Sequence, residues 1–111
     1  MQQLGRLGKG RMNKTEAAYA DQLEARKHAG DIVDFSFESV KLRLADGTWY
    51  TPDFEVTLPG GELEVHEVKG RWTDDARVKF KVAAERYRNR RFIAVFRDGH
   101  HGWRFEIREV R

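Results

Sequence analysis

The sequence predicts a single α/β domain: a helix, a meander of strands, a crossover helix, and one or two closing strands. Three observations carry this. Two stretches rich in helix formers, Lys14 to Lys27 and Thr73 to about Arg88, have capping and stop signals at their ends. Two runs with period-two patterning, 49–58 and 62–69, flank Pro59-Gly60-Gly61. A continuous apolar run, Phe92-Ile93-Ala94-Val95-Phe96, follows the second helix, so 62–96 reads as strand, helix, strand with its two strands parallel.

At 111 residues the chain holds one core. With no cysteine it has neither disulfides nor thiolate metal sites, which suits a cytoplasmic protein. No apolar run is long enough to span a membrane. Charge is segregated. Residues 1–14 carry four bases and no acid, 15–70 five bases against twelve acids, and 71–91 eight bases against three acids. An acidic centre flanked by basic surface fits a metal site beside a phosphate-binding surface, and a solvated outer face accounts for the same numbers.

In chain order, residues 1–12 form a basic arm with three glycines and no helical or strand period. Arg6, Lys9 and Arg11 there, with Lys14 just beyond, are candidates for wrapping a nucleic-acid backbone; a disordered terminus is the alternative. In the first helix Tyr19, Ala20 and Leu23 make the apolar stripe, and Glu16 projects from that same face. A carboxylate there needs a partner, which a metal site would supply. Its other role is that of a first-turn acid facing the helix dipole. Residues 31–37 and 39–44 read as short strands, and Asp46-Gly47 as a hairpin turn into the 49–58 strand.

A three-residue loop at 59–61, with a glycine in the left-handed position, pairs Leu58 with Glu62 and places Asp53 opposite Glu67. Lys69 shares their face, Glu55 lies on it one pair further back as a candidate supporting group, and His66 faces away as a structural residue. Two facing carboxylates repel unless a cation lies between them, so the pair breaks a local rule in the way functional sites do.

In the second helix Ala76, Phe80, Ala83, Ala84 and Tyr87 form the buried face. Lys79, Lys81 and Arg86 occupy the outer surface, where they either position a phosphate backbone or serve as ordinary solvated charges. His100 and His101 sit in a turn before an edge-like strand, Trp103 to Ile107, and read as surface residues.

Pro52-Asp53 and Glu67-Val68-Lys69 resemble the signature of the PD-(D/E)XK nuclease superfamily, and 13–96 resembles its phage endonuclease I-like, junction-resolving members. The most specific blocks are Thr51-Pro52-Asp53-Phe54 and His66-Glu67-Val68-Lys69-Gly70. The resemblance implies a restriction-endonuclease-like core, with a mixed sheet flanked by helices. It also implies a Glu on the first helix at the site, action on branched DNA as a dimer, and a phage or prophage setting in a bacterial cell. Asp53, Glu67 and the Val68 carbonyl are hard oxygen ligands suited to Mg²⁺ or Mn²⁺, with Glu16 completing the set and Lys69 orienting water or offsetting phosphate charge. The expected reaction is direct phosphodiester hydrolysis. Alternatives are a non-specific or single-strand nicking nuclease, or an inactive DNA-binding module. A homodimer goes with junction cutting and a monomer with simple nicking.

Overall fold

The structure is a computed structural model and describes residues 12–108. Seven strands and two helices follow in the order α1 (Lys14–His28), β1 (Asp34–Phe37), β2 (Leu42–Ala45), β3 (Thr48–Tyr50), β4 (Phe54–Thr57), β5 (Leu63–Lys69), α2 (Asp74–Arg86), β6 (Arg90–Asp98) and β7 (Gly102–Arg108). Five strands form a mixed sheet in the order β1-β4-β5-β6-β7, and β2 and β3 form a separate two-stranded sheet. β5 and β6 run parallel, joined through α2, while the other neighbours are antiparallel. This is an α/β fold compatible with a restriction-endonuclease-like core.

The helices form where their caps are. Asn13 caps α1 and exchanges bonds with Glu16 in a complete capping box, 2.7 Å and 2.9 Å long. At the other end Gly30, at φ +86°, turns the chain out of α1 while Gly30 N–H donates to the Lys27 carbonyl and Asp31 N–H to the Arg26 carbonyl. Those two bonds satisfy carbonyls the helix leaves open. Thr73 caps α2, its hydroxyl accepting from Ala76 N–H.

The sheet separates two cores. On one face α1 lays Tyr19 and Leu23 on Phe37, Phe54, Val56, Val68, Ile93 and Val95, and Met12 packs at its margin. On the other, α2 and the β2–β3 hairpin press Phe80, Ala83, Ala84, Leu42, Leu44 and Tyr50 onto Val65, Phe92, Ala94 and Phe96. β6 between them buries every residue from Phe92 to Phe96, as its apolar run requires.

One expected strand is two. The run 49–58 divides at Thr51-Pro52-Asp53: Thr48–Tyr50 pairs with β2, and Phe54–Thr57 enters the main sheet between β1 and β5. Pro52 is the physical reason, since it has no N–H to give a ladder, and its ring is fully buried where the chain changes sheets. The 31–37 strand also begins late, at Asp34.

Candidate active site

The loop between β4 and β5 sets the geometry. Leu58 N–H donates to the Glu62 carbonyl at 2.9 Å and Gly61 sits at φ +94°, the left-handed conformation that a side chain would strain. The resulting register pairs Phe54 with His66 and Thr57 with Leu63. Asp53 and Glu67 follow as the next opposed positions, as the turn predicts.

Their contact is reciprocal. Val68 N–H donates to Asp53 Oδ2 at 2.8 Å, and Asp53 N–H donates to Glu67 Oε1 at 3.2 Å. Tyr50 donates its hydroxyl to that same Glu67 oxygen at 2.6 Å, and Lys69 Nζ lies 3.1 Å from Glu67 Oε2. Both carboxylates are buried. Burial, then the adjacent Glu67 charge, pushes the Asp53 carboxyl up to about 8, with the Val68 N–H bond and Lys69 opposing and Glu16 adding to the rise. Tyr50 is driven far up by burial and by the Glu67 charge, so its proton stays on to donate.

Sequence reasoning missed three members of this site. Glu38 follows β1 with φ 49°, uncommon for a side-chain-bearing residue, and its N–H donates to the Asp53 carbonyl at 2.8 Å. Burial, then the charges of Glu16 and Glu67, raise its carboxyl. Only the structure brings it there: the β1–β4 register pairs Phe37 with Phe54, which puts Glu38 beside Asp53 one step on. Tyr50, three residues before Asp53, carries no signal in the sequence beyond its place in a strand. Trp72 carries Lys69 at 5.7 Å and Arg77 at 5.3 Å from its ring centroid, so the base and the start of α2 are tied to one aromatic face.

The remaining expected residues divide. Glu16 is held by its bonds to Asn13, so its first-turn role is real, while its charge still acts on Asp53 and Glu38. Val68 turns its side chain into the α1-side core and gives its N–H to Asp53. Glu55 departs from the expectation of a group supporting the site: Arg90 Nε holds it at 2.7 Å, because β6 brings a guanidinium within reach further along the sheet. His66 faces away and is buried, as expected, yet it is bonded on both ring nitrogens, to Tyr19 Oη at 2.6 Å and to Glu64 Oε1 at 2.9 Å. Lys14, Lys79, Lys81 and Arg86 are exposed on the helices, and His100 and His101 in the last turn. Arg6, Lys9 and Arg11 lie outside the described residues. A cleft of ≈ 520 Å³ lined by Arg88, Arg90, Arg91 and Arg108 opens at the opposite end of β5 from Asp53.

Residues 11–100 match the family described as Protein of unknown function (DUF1064), which is more than half of the chain. The chain belongs to the DUF1064 family. The matched stretch runs from before α1 into the turn after β6 and so contains Glu16, Glu38, Asp53, Glu67 and Lys69. No curated protein and no solved structure matches the chain.

The site of this DUF1064 protein can be tested for a cation on its own donors. Among the described residues no group of three or more His, Asp or Glu side chains stands ready to hold a metal ion. The donors nonetheless suit one. Asp53 Oδ1 accepts no hydrogen bond from the described residues, and Asp53 and Glu67 are two adjacent hard oxygen donors with Lys69 beside Glu67. Among the described residues no helix is long and apolar enough to cross a membrane.

Proposed function

We propose that this chain is a metal-dependent endonuclease that hydrolyses phosphodiester bonds in DNA, with Asp53, Glu67 and Lys69 at its centre. The observation that carries the reading is the pairing of Asp53 with Glu67 across β4 and β5, with Lys69 on the same face 3.1 Å from Glu67. A structural ion pair needs one acid and one base. Here a second buried acid is added, at a cost visible in the raised Asp53 carboxyl. That cost makes sense where a cation and a phosphate are to be bound.

Asp53, Glu67 and the Val68 carbonyl are the proposed holders of Mg²⁺, with Mn²⁺ substituting, and Glu16 and Glu38 add negative charge around it. When bound, the ion lowers the pKa of water and offsets charge on the phosphate. The chain's own residues do the rest. Tyr50 and the Asp53 N–H fix the Glu67 carboxylate by two donors to one oxygen, and the Val68 N–H fixes Asp53 in turn. Lys69 would present its ammonium to the phosphate oxygens from the same face, and Trp72 limits where it can go. The exposed bases of α1 and α2 are the proposed backbone contacts.

Selectivity for branched DNA, the homodimer that paired cutting requires, membership of the PD-(D/E)XK superfamily and a phage or prophage setting in the bacterial cytoplasm all rest on the resemblance. A second reading, an inactive DNA-binding module, has one observation in its favour: Glu67 has both oxygens engaged and Lys69 closed on it. A cleavage panel of supercoiled, linear, single-stranded and four-way-junction DNA, with and without Mg²⁺, separates these readings. Mg²⁺-dependent cutting is the expected outcome, with the junction the preferred substrate. Binding without cutting of any substrate, in Mg²⁺ or Mn²⁺, would overturn the enzymatic reading.

A further inference from the structure

The sheet ends on β7, and its outer edge is unlike a protected one. Among the described residues nothing pairs with that edge. It runs seven residues, against four for the opposite edge strand β1. Protected edges are short, bulged or covered, or carry charges and prolines that resist a second edge, and opposite charges on one edge resist it only where the register does not pair them. β7 reads Gly-Trp-Arg-Phe-Glu-Ile-Arg from Gly102, so about Phe105 it has a base on one side and an acid on the other.

The two faces of β7 differ. Trp103, Phe105 and Ile107 share the α1 face. Trp103 packs on Tyr19 with ring centroids 5.0 Å apart, whereas Phe105 is 44% exposed and Ile107 45% exposed. Arg104 and Glu106 share the other face, each 54% exposed and 2.7 Å from one another. Arg104 lies over the Phe96 ring at 4.4 Å, which holds its guanidinium near the strand.

We infer that β7 is a docking edge for a second copy of this chain, the two β7 strands pairing antiparallel about a two-fold axis through Phe105. In that register Arg104 faces the partner's Glu106 and Glu106 faces the partner's Arg104, so the charges complement twice. On the other face Phe105 meets the partner's Phe105, and Trp103 and Ile107 meet the partner's Ile107 and Trp103. An antiparallel pair puts opposed side chains about 4.5–5.5 Å apart at Cβ, within reach of all these contacts. The edge N–H and C=O groups gain partners, and the half-exposed Phe105 and Ile107 are covered. The contact is isologous, one patch used twice, and so closes as a dimer instead of growing into a fibre. A single strand pair lies at the small end of specific interfaces, so the dimer is reversible.

The inference rests on β7 alone and stands or falls independently of the nuclease reading. Sedimentation of the full chain over a series from micromolar to millimolar should show a monomer–dimer equilibrium. Arg104→Glu and Glu106→Arg each place like charges opposite one another twice and should weaken self-association about tenfold or more. Mixed in equal amounts, the two single variants become complementary and should form a heterodimer, and the double swap R104E/E106R should self-associate as the native chain does. Both side chains are half exposed, so circular-dichroism melts should stay close to native. A native chain that remains monomeric throughout overturns the inference. So do single variants that dimerise as before, or a mixture that fails to recover association.

Discussion

At the scale of single residues the site is a contest over charge, and Asp53 is where it shows. In the unfolded chain its carboxyl ionises near 3.8, whereas in the fold, buried beside Glu67, it keeps its proton up to about 8. Between those values the native state binds the extra proton. Native stability therefore falls as pH rises through the interval, with the loss complete above about 8 and absent below 3.8. Asp53→Asn removes the titration and keeps an acceptor for Val68 N–H. It should be more stable than the native chain at pH 8 and little different from it near pH 4, while abolishing cleavage. A gap in melting temperature that does not change with pH would contradict this assignment. Mg²⁺ should raise the melting temperature of the native chain and not that of the variant, a readout independent of turnover. The Asp53, Glu67 and Lys69 cluster was legible because a turn fixed a register and a register fixes faces. Glu38 was not, since its approach depends on a left-handed backbone in a connection with no sequence signature of its own. Glu38→Gln should weaken the Mg²⁺-dependent rise in melting temperature several-fold in titration midpoint without lowering basal stability, because its carboxyl is itself raised by burial and then by Glu16 and Glu67. An unchanged midpoint would leave Glu38 outside the ion's environment.

At the scale of elements, the question is what holds α1 to the sheet so that Glu16 stays beside the site. Apolar packing of Tyr19 and Leu23 supplies most of it, but a polar chain sets the position: Tyr19 Oη to His66 Nδ1, and His66 Nε2 to Glu64 Oε1. Burial drives the Tyr19 hydroxyl upward, so it keeps its proton and donates to Nδ1, which leaves Nε2–H to donate to Glu64. That bond is the first cause of the lowered Glu64 carboxyl. His66→Phe leaves a buried hydroxyl and a mostly buried carboxylate without their partner and should cost about 2–4 kcal/mol. Tyr19→Phe strands only the imidazole nitrogen and should cost about 1–2 kcal/mol. Chemical denaturation of the two single variants and the double should show coupling, the double costing less than the sum. Strict additivity would mean the two side chains act apart. Period-two patterning turns His66 away from the site as a structural residue, yet alternation alone cannot say that it is buried or what it meets across a helix. The same limit explains the 49–58 run. Its alternation continues through a change of sheet at Pro52, and only the missing N–H hinted at a break.

At the scale of the whole molecule the charge has a direction. The acids of the site lie at the C-terminal end of β5, and α2, which leaves that end over the opposite face from α1, carries Lys79, Lys81 and Arg86 exposed to solvent. The segregation of charge along the chain survives folding because the acidic hairpin is buried in the sheet while the basic segment is a surface helix. If α2 contacts the backbone of DNA, each base that neutralises a phosphate releases counterions and adds about 0.9 to the slope of log affinity against log salt. Replacing Lys79, Lys81 and Arg86 together with alanine should therefore flatten that slope by up to about 2.7 and weaken binding on every substrate alike, since phosphate contacts carry no sequence information. Metal-dependent melting should be unaffected, because none of the three touches Asp53 or Glu67. The matching triple at Arg6, Lys9 and Arg11 separates the arm from the helix. A slope that falls only for the arm variant assigns the backbone contacts to residues 1–11 and leaves the bases of α2 as solvated charge. A slope that falls for both, by amounts that add, means the duplex lies across the two together.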